Sequence, residues 1–120
     1  MVGPTPYVPD RGDIVWLQFN PQAGHEQAGH RPALVVSPSS YNRRVGLALF
    51  CPITSEVKGY PFEVLLPKGL AVEGAVLSDQ LKSLDWRARK AKRIGRLPGD
   101  ALDEAVGKML TLIDPGEEAR

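Results

Sequence analysis

Short apolar runs punctuated by glycine, proline and polar clusters fill most of the chain, and the period changes only near its C-terminal end. Residues 13–19 hold Ile14, Val15, Trp16 and Phe19 between Arg11-Gly12 and Asn20-Pro21, which predicts a strand. Residues 20–31 carry Gly24 and Gly29 without helical period and read as a polar loop. Residues 32–36, with Leu34-Val35-Val36, predict a buried strand ended by Ser37-Pro38-Ser39-Ser40. Residues 46–53 predict a third strand, in which Pro52 implies an edge position or an exit from the sheet, and residues 54–61 a loop. Residues 62–66 and 74–78 predict two more strands, separated by the Pro67-Lys68-Gly69 turn. Residues 91–97, with Ile94 and Leu97, are a sixth candidate. From 101 to 113 the period lengthens: Leu102, Ala105, Val106, Met109, Leu110 and Ile113 define one face of an amphipathic helix. Asp100 is its expected N-cap and Pro115-Gly116 its expected stop.

Short strands followed by one terminal helix predict a mainly β domain spanning residues 1–120, a small bent antiparallel sheet or partly open barrel closed at one end by the helix. Twelve glycines and eleven prolines in 120 residues fit many short elements rather than a helical bundle. No apolar run approaches the roughly 20 residues of a membrane-spanning helix. Residues 1–10 hold three prolines and lack the cationic, apolar and small-residue order of a secretory leader, so the expected location is the cytoplasm. The single cysteine, Cys51, cannot form an internal disulfide, and with only two histidines little remains for a zinc site. Such loops on a β scaffold are where functional side chains are expected, here after the first, third and fifth strands.

The net charge of +1 conceals a strong asymmetry. Residues 86–96 hold Arg87, Arg89, Lys90, Lys92, Arg93 and Arg96 with no acid, directly after Trp86, whereas acids cluster in the tail. Cations beside an aromatic suit a single-stranded nucleic acid; the same run also fits a solvated charged face, and Trp86 a place in the core. The densest polar chemistry is His25-Glu26 through His30-Arg31. Its spacing is one residue too long for the His-Glu-x-x-His zinc helix, and its glycines oppose a helix. No Gly-x-Ser-x-Gly elbow occurs, and Cys51 sits in an apolar strand, which disfavours a nucleophilic triad. Two readings remain: a surface ion pair between Glu26 and Arg31, or proton transfer by Glu26 with phosphate stabilisation by the Arg31 guanidinium. Gln80, two residues before Lys82 where a metal-dependent nuclease would want an acid, discourages that class. Thr54 and Ser55 close the third strand, just before Lys58-Gly59-Tyr60-Pro61-Phe62, a pattern that by itself is a strand end and a turn.

Four segments taken in order resemble the MazF/PemK family of toxin endoribonucleases, in particular its MazF branch. They are Tyr7-Val8-Pro9-Asp10 with Gly12-Asp13, Glu26-Gln27-Ala28-Gly29-His30-Arg31-Pro32-Ala33, Lys58-Gly59-Tyr60-Pro61-Phe62-Glu63-Val64, and Asp79-Gln80 with Lys82-Ser83 and Trp86-Arg87-Ala88-Arg89. The resemblance implies a compact SH3-like (CcdB/PemK-like) barrel with a C-terminal helix, a homodimer, and metal-independent, cofactor-free, sequence-specific cleavage of single-stranded RNA. By that likeness the 2′-hydroxyl attacks the adjacent phosphate and leaves a 2′,3′-cyclic phosphate and a 5′-hydroxyl. Glu26 matches the base, with His30 as an alternative. Arg31 matches the phosphate-stabilising and secondarily proton-donating group, and Thr54 a hydrogen-bond donor to phosphate. Lys58, Lys82, Arg87 and Arg89 would hold the RNA backbone, and the loop 52–60, with Ser55, would read bases. Glu56 and Asp85 depart from the familiar pattern and imply a target sequence of this chain's own. The expected regulator is a cognate antitoxin whose acidic, disordered C-terminal segment covers the RNA site. A gyrase poison of the same fold, or an RNA-binding module without catalysis, is the alternative. The charged C-terminus and the Glu26–Arg31 motif speak for the nuclease over the gyrase poison.

Overall fold

The computed structural model describes residues 6–19, 29–114 and 116. Among them the elements run β1 (Asp13–Gln18), β2 (His30–Val35), α1 (Ser39–Val45), β3 (Ala48–Thr54), β4 (Glu63–Leu65), β5 (Ala75–Leu77), β6 (Lys82–Leu84), β7 (Lys92–Arg96) and α2 (Gly99–Ile113). All pairings are antiparallel, in the order β4-β5-β3-β2-β1-β7, with β6 also on β3. The mainly β fold with a C-terminal helix agrees with the expectation from the sequence.

Continuous apolar runs in β1, β2 and β3 follow from burial of both sheet faces. Ile14, Leu34, Cys51 and Ile53 face Leu102, Ala105 and Met109 of α2 together with Val64 and Val76. Their strand neighbours Val15, Leu17, Ala33, Val35 and Phe50 face Trp86, Leu84 and the N-terminal Tyr7 and Val8. The sheet is thus a wall between two small cores, and successive residues along a strand belong to different ones.

Several sequence expectations change. Pro52 lies in a central strand rather than at an edge. The Leu49 carbonyl accepts the Val36 N–H, so alternation turns the Pro52 nitrogen to the opposite side of β3. There the partner switches from β6, paired as far as Phe50, to β5, which begins at Ile53, and no ladder bond is missed. Asp100 is not the N-cap of α2: Pro98 occupies that position and Asp100 falls in the first turn, where its charge still suits the helix N-terminus. Ser39 and Ser40 open a helix, and β6 occupies a segment with no strand prediction. His30 and Arg31 begin β2, and Lys82 lies on β6, so these three stand on strands and not on loops.

Asp13 explains part of the basic run. Its buried carboxylate receives the Tyr7 hydroxyl at 2.6 Å, Arg96 Nη1 at 3.0 Å and Arg93 Nε at 3.3 Å, clamping β7 and the N-terminal segment onto β1.

Candidate functional site

Strand register brings two of the expected site residues together. β2 and β3 pair Val35 with Phe50, Leu34 with Cys51 and Ala33 with Pro52. Continued two residues to the strand ends, the same register sets Arg31 opposite Thr54, both on the face that carries Ala33 and Phe50. Arg31 is exposed, whereas Thr54 is buried except for its rim. The Thr54 Oγ1 accepts the Glu56 N–H at 3.0 Å, which fixes its rotamer and leaves its own proton to donate. Lys82, paired with Phe50, points to this same face.

Beside Thr54 opens a cleft of about 410 Å³ lined by Glu56, Lys58, Gly59, Tyr60, Glu63, Leu77, Asp79 and Gln80. The Tyr60 hydroxyl donates to Asp79 Oδ2 at 2.7 Å across it, and that bond raises the phenol's pKa above its ordinary value. A second cleft of about 400 Å³ lies round the strand ends, lined by Trp16, His30, Arg31, Pro32, Ile53, Ser55, Val72 and Glu73. There the His30 ring stacks on Trp16 with centroids 5.1 Å apart. His30 and Ser55 are the chain neighbours of Arg31 and Thr54, so alternation sends them to the opposite face.

The basic residues separate into two groups. Arg89 donates to the Gln18 carbonyl at 3.1 Å and lies close enough to Lys82 to help lower that ammonium's pKa, after the larger effect of burial. Arg87 instead lies over the Trp86 ring, 5.0 Å from its centroid, and lines a shallow hollow with Arg43 and Arg44 at the other end of the sheet. Trp86 is buried and donates its Nε1–H to the Asn42 carbonyl, so it belongs to the core and offers no stacking platform. Glu26 lies outside the described residues.

Residues 10–112 match the family described as PemK-like, MazF-like toxin of type II toxin-antitoxin system. The chain belongs to that family. The endoribonuclease toxin MazF of Escherichia coli K12 is 49% identical over 107 residues, covering 89% of this chain and 96% of that protein. The endoribonuclease PemK of Escherichia coli is 36% identical over 108 residues, 87% of this chain and 81% of PemK. Among solved structures, MazF from Deinococcus radiodurans matches with a TM-score of 0.88 at 56% identity, over 90% of this chain and 98% of the other. A chain of the MazE-MazF complex from the same organism matches at 0.83 and 55%, over 92% and 100%.

On this toxin scaffold three features have no counterpart in the residue-by-residue reading of the sequence. Glu63 is a buried carboxylate at the start of β4, and Tyr60–Asp79 bridges the cleft. Trp16 supplies the platform under His30. The available hint was an acid placed at the head of an apolar strand straight after Gly59-Tyr60-Pro61-Phe62. Among the described residues, no three of His, Cys, Asp and Glu gather as metal ligands, and no helix is long and apolar enough to cross a membrane.

Proposed function

We propose that this endoribonuclease toxin cuts single-stranded RNA by internal transesterification without a metal ion. The 2′-hydroxyl of one nucleotide attacks the neighbouring phosphate, the bond to the 5′-oxygen breaks, and a 2′,3′-cyclic phosphate and a 5′-hydroxyl end remain. The observation that carries this reading is the β2–β3 register, which, continued from Ala33–Pro52 to the strand ends, sets Arg31 opposite Thr54, with Thr54 lining one polar cleft and Arg31 the next. The guanidinium's planar donors match the non-bridging oxygens on which charge grows in the pentacoordinate state. The Thr54 hydroxyl, already an acceptor from Glu56, donates to a phosphate oxygen. Glu26 takes the 2′-hydroxyl proton; His30, on the opposite face and stacked on Trp16, is the less suitable base. Arg31 holds its proton too firmly to be a ready acid, so protonating the 5′-oxygen is its secondary role.

Lys58, Lys82 and Arg89 hold backbone phosphates on the Thr54 side, and Arg87, beside Arg43 and Arg44, meets a more distant part of the strand. Ser55 and the loop after it read bases, which are accessible in single strands and hidden in duplexes. The MazE-MazF complexes of similar proteins support a cognate antitoxin as partner, its acidic disordered segment competing with RNA for the same cations. Self-association into a homodimer is supported by exposed Leu65, Leu110, Leu112 and Ile113, the last 65% accessible.

The test is incubation of the purified protein with mixed-sequence single-stranded RNA in excess EDTA, with both new ends mapped. Cleavage at one short motif leaving 5′-hydroxyl and cyclic-phosphate ends is expected. Loss of cleavage in EDTA, or 5′-phosphate ends, would refute the mechanism.

A further inference from the structure

Glu63 organises the rim of the cleft without belonging to the proposed chemistry. It stands at a position where β4 turns a residue inward, paired with buried Leu77, and is itself only 8% accessible. A carboxylate there carries a desolvation cost that an apolar residue would avoid, unless hydrogen bonds compensate it. They come from consecutive backbone amides. Oε1 accepts the N–H of Gly59 at 2.9 Å and those of Lys58 and Tyr60 at 3.2 Å, and Oε2 accepts Lys58 N–H at 3.2 Å. The chain curls round this carboxylate as backbone nests curl round bound anions, with Gly59 supplying the left-handed turn at φ 78°. Residues 55–61 are otherwise exposed throughout. Further anchors are the Glu56 N–H on Thr54, the Tyr60 carbonyl accepting Glu63 N–H at 3.0 Å, the Tyr60 hydroxyl on Asp79 and the Tyr60 ring tilted on Phe62.

We infer that Glu63 is a positioning residue for RNA recognition: its carboxylate shapes the turn 58–60 and thereby sets Lys58 and Tyr60 beside Thr54. This rests on the reading of the cleft as the RNA site. Arg31 and Thr54 stand on β2 and β3, whose ladder does not depend on Glu63, while the binding groups stand on the loop that does. Loss of the carboxylate therefore weakens binding and sequence selection and leaves the chemical step nearly intact, the pattern of a raised KM at constant kcat.

The experiment compares the parental protein with Glu63→Ala and Glu63→Gln, which keeps one acceptor oxygen. Three readouts are taken: KM and kcat on single-stranded RNA, the set of sequences cut, and hydrogen exchange of the amides of residues 58–60. Glu63→Ala is expected to raise KM about tenfold, as loss of hydrogen bonds to a charged group implies, with kcat within about twofold. It also cuts a wider set of sequences and exchanges faster at 58–60, with Glu63→Gln between it and the parent. A lower melting temperature with unchanged KM and cut sites would reduce Glu63 to a structural residue and overturn the inference. Unchanged exchange at 58–60 in Glu63→Ala would overturn it independently of any activity, whereas a parental protein that left RNA intact would refute the RNA reading itself.

Discussion

Gly74 lies against the backbone of Thr54 so closely that a Cβ at position 74 would overlap the Thr54 carbonyl oxygen and approach Ser55 Cα to 3.2 Å. Its φ of 127° is also one that side-chain-bearing residues rarely adopt. Gly74→Ala must therefore push the end of β3, and Thr54 with it, out of register with Arg31. The expected outcome is a loss of about 1–3 kcal/mol of stability together with slower RNA cleavage at a temperature where both proteins are folded. Thermal denaturation and a cleavage time course check it; parental values in both would mean that β3 yields without moving Thr54.

Asp10 and Ser39 are 29 positions apart, yet Asp10 Oδ1 accepts the Ser39 N–H at 2.9 Å at the start of α1, whose own N-cap, Pro38, has no side-chain oxygen to offer. That bond holds the Asp10 carboxyl below its ordinary pKa. A lowered carboxylate pKa stabilises the fold above the unfolded value of about 3.9 and loses its effect as pH falls through the folded value. Melting curves on acidification from about pH 6 should fall more steeply for the parent than for Asp10→Asn, which does not titrate. At neutral pH, Asp10→Ala should cost about 1 kcal/mol, the usual worth of a helix cap. Coincident acid profiles would show that Asp10 does not cap α1.

That contact also illustrates what the sequence made legible. The strands β1 to β5 and α2 were readable because each carries its own periodic apolar signal, from Ile14-Val15-Trp16 to Leu102 and Met109. α1 has no such signal: Ser39 to Val45 buries only Asn42, which is held by the Pro9 and Ser37 carbonyls, and its cap comes from distant Asp10. β6 is three residues long and depends on Ala48 to Phe50 for its existence. At the site, the polar segment containing Arg31 stood out from its composition, whereas Thr54 and Lys58 by themselves read as a strand end and a turn and were marked only by the family resemblance. Their shared or opposed faces depend on register, which no local pattern fixes, and neither does the wrapping of Lys58 to Tyr60 around Glu63. The basic run looked uniform, yet Arg93 and Arg96 serve Asp13, and Arg87 covers Trp86.

Lys82 gives a pH signature to RNA binding. Burial, and then the neighbouring Arg89 charge, lower its pKa below the usual lysine value. Its positive charge therefore fades at lower pH than that of an ordinary lysine, and affinity for RNA should begin to decline on the alkaline side before ordinary lysines lose their charge. Lys82→Arg keeps its charge and should flatten that decline in a fluorescence-anisotropy titration. Parallel curves for the two proteins would show that Lys82 takes no part in binding.

Cys51 sits fully buried in β3, and burial, followed by the Asp79 charge, pushes its thiol up to about 12. Almost no thiolate exists at neutral pH, so the folded protein should resist thiol-specific alkylation and take up one equivalent only after denaturation in guanidinium. Rapid labelling of the native protein would place Cys51 in an accessible environment and contradict the packing of β3 against α2.

Arg31 and Thr54 acting on one phosphate must be energetically coupled, and a double-mutant cycle measures that coupling. Single-turnover cleavage of one RNA is measured for the parent, Arg31→Ala, Thr54→Val and the pair. Arg31→Ala should slow the reaction by about 10² to 10³-fold, the usual worth of an oxyanion donor, and Thr54→Val by about tenfold. The double variant should lose clearly less than the product of the two, because groups that hold the same phosphate are coupled. Parental rates in either single variant, or losses that multiply fully, would contradict a shared site at the ends of β2 and β3.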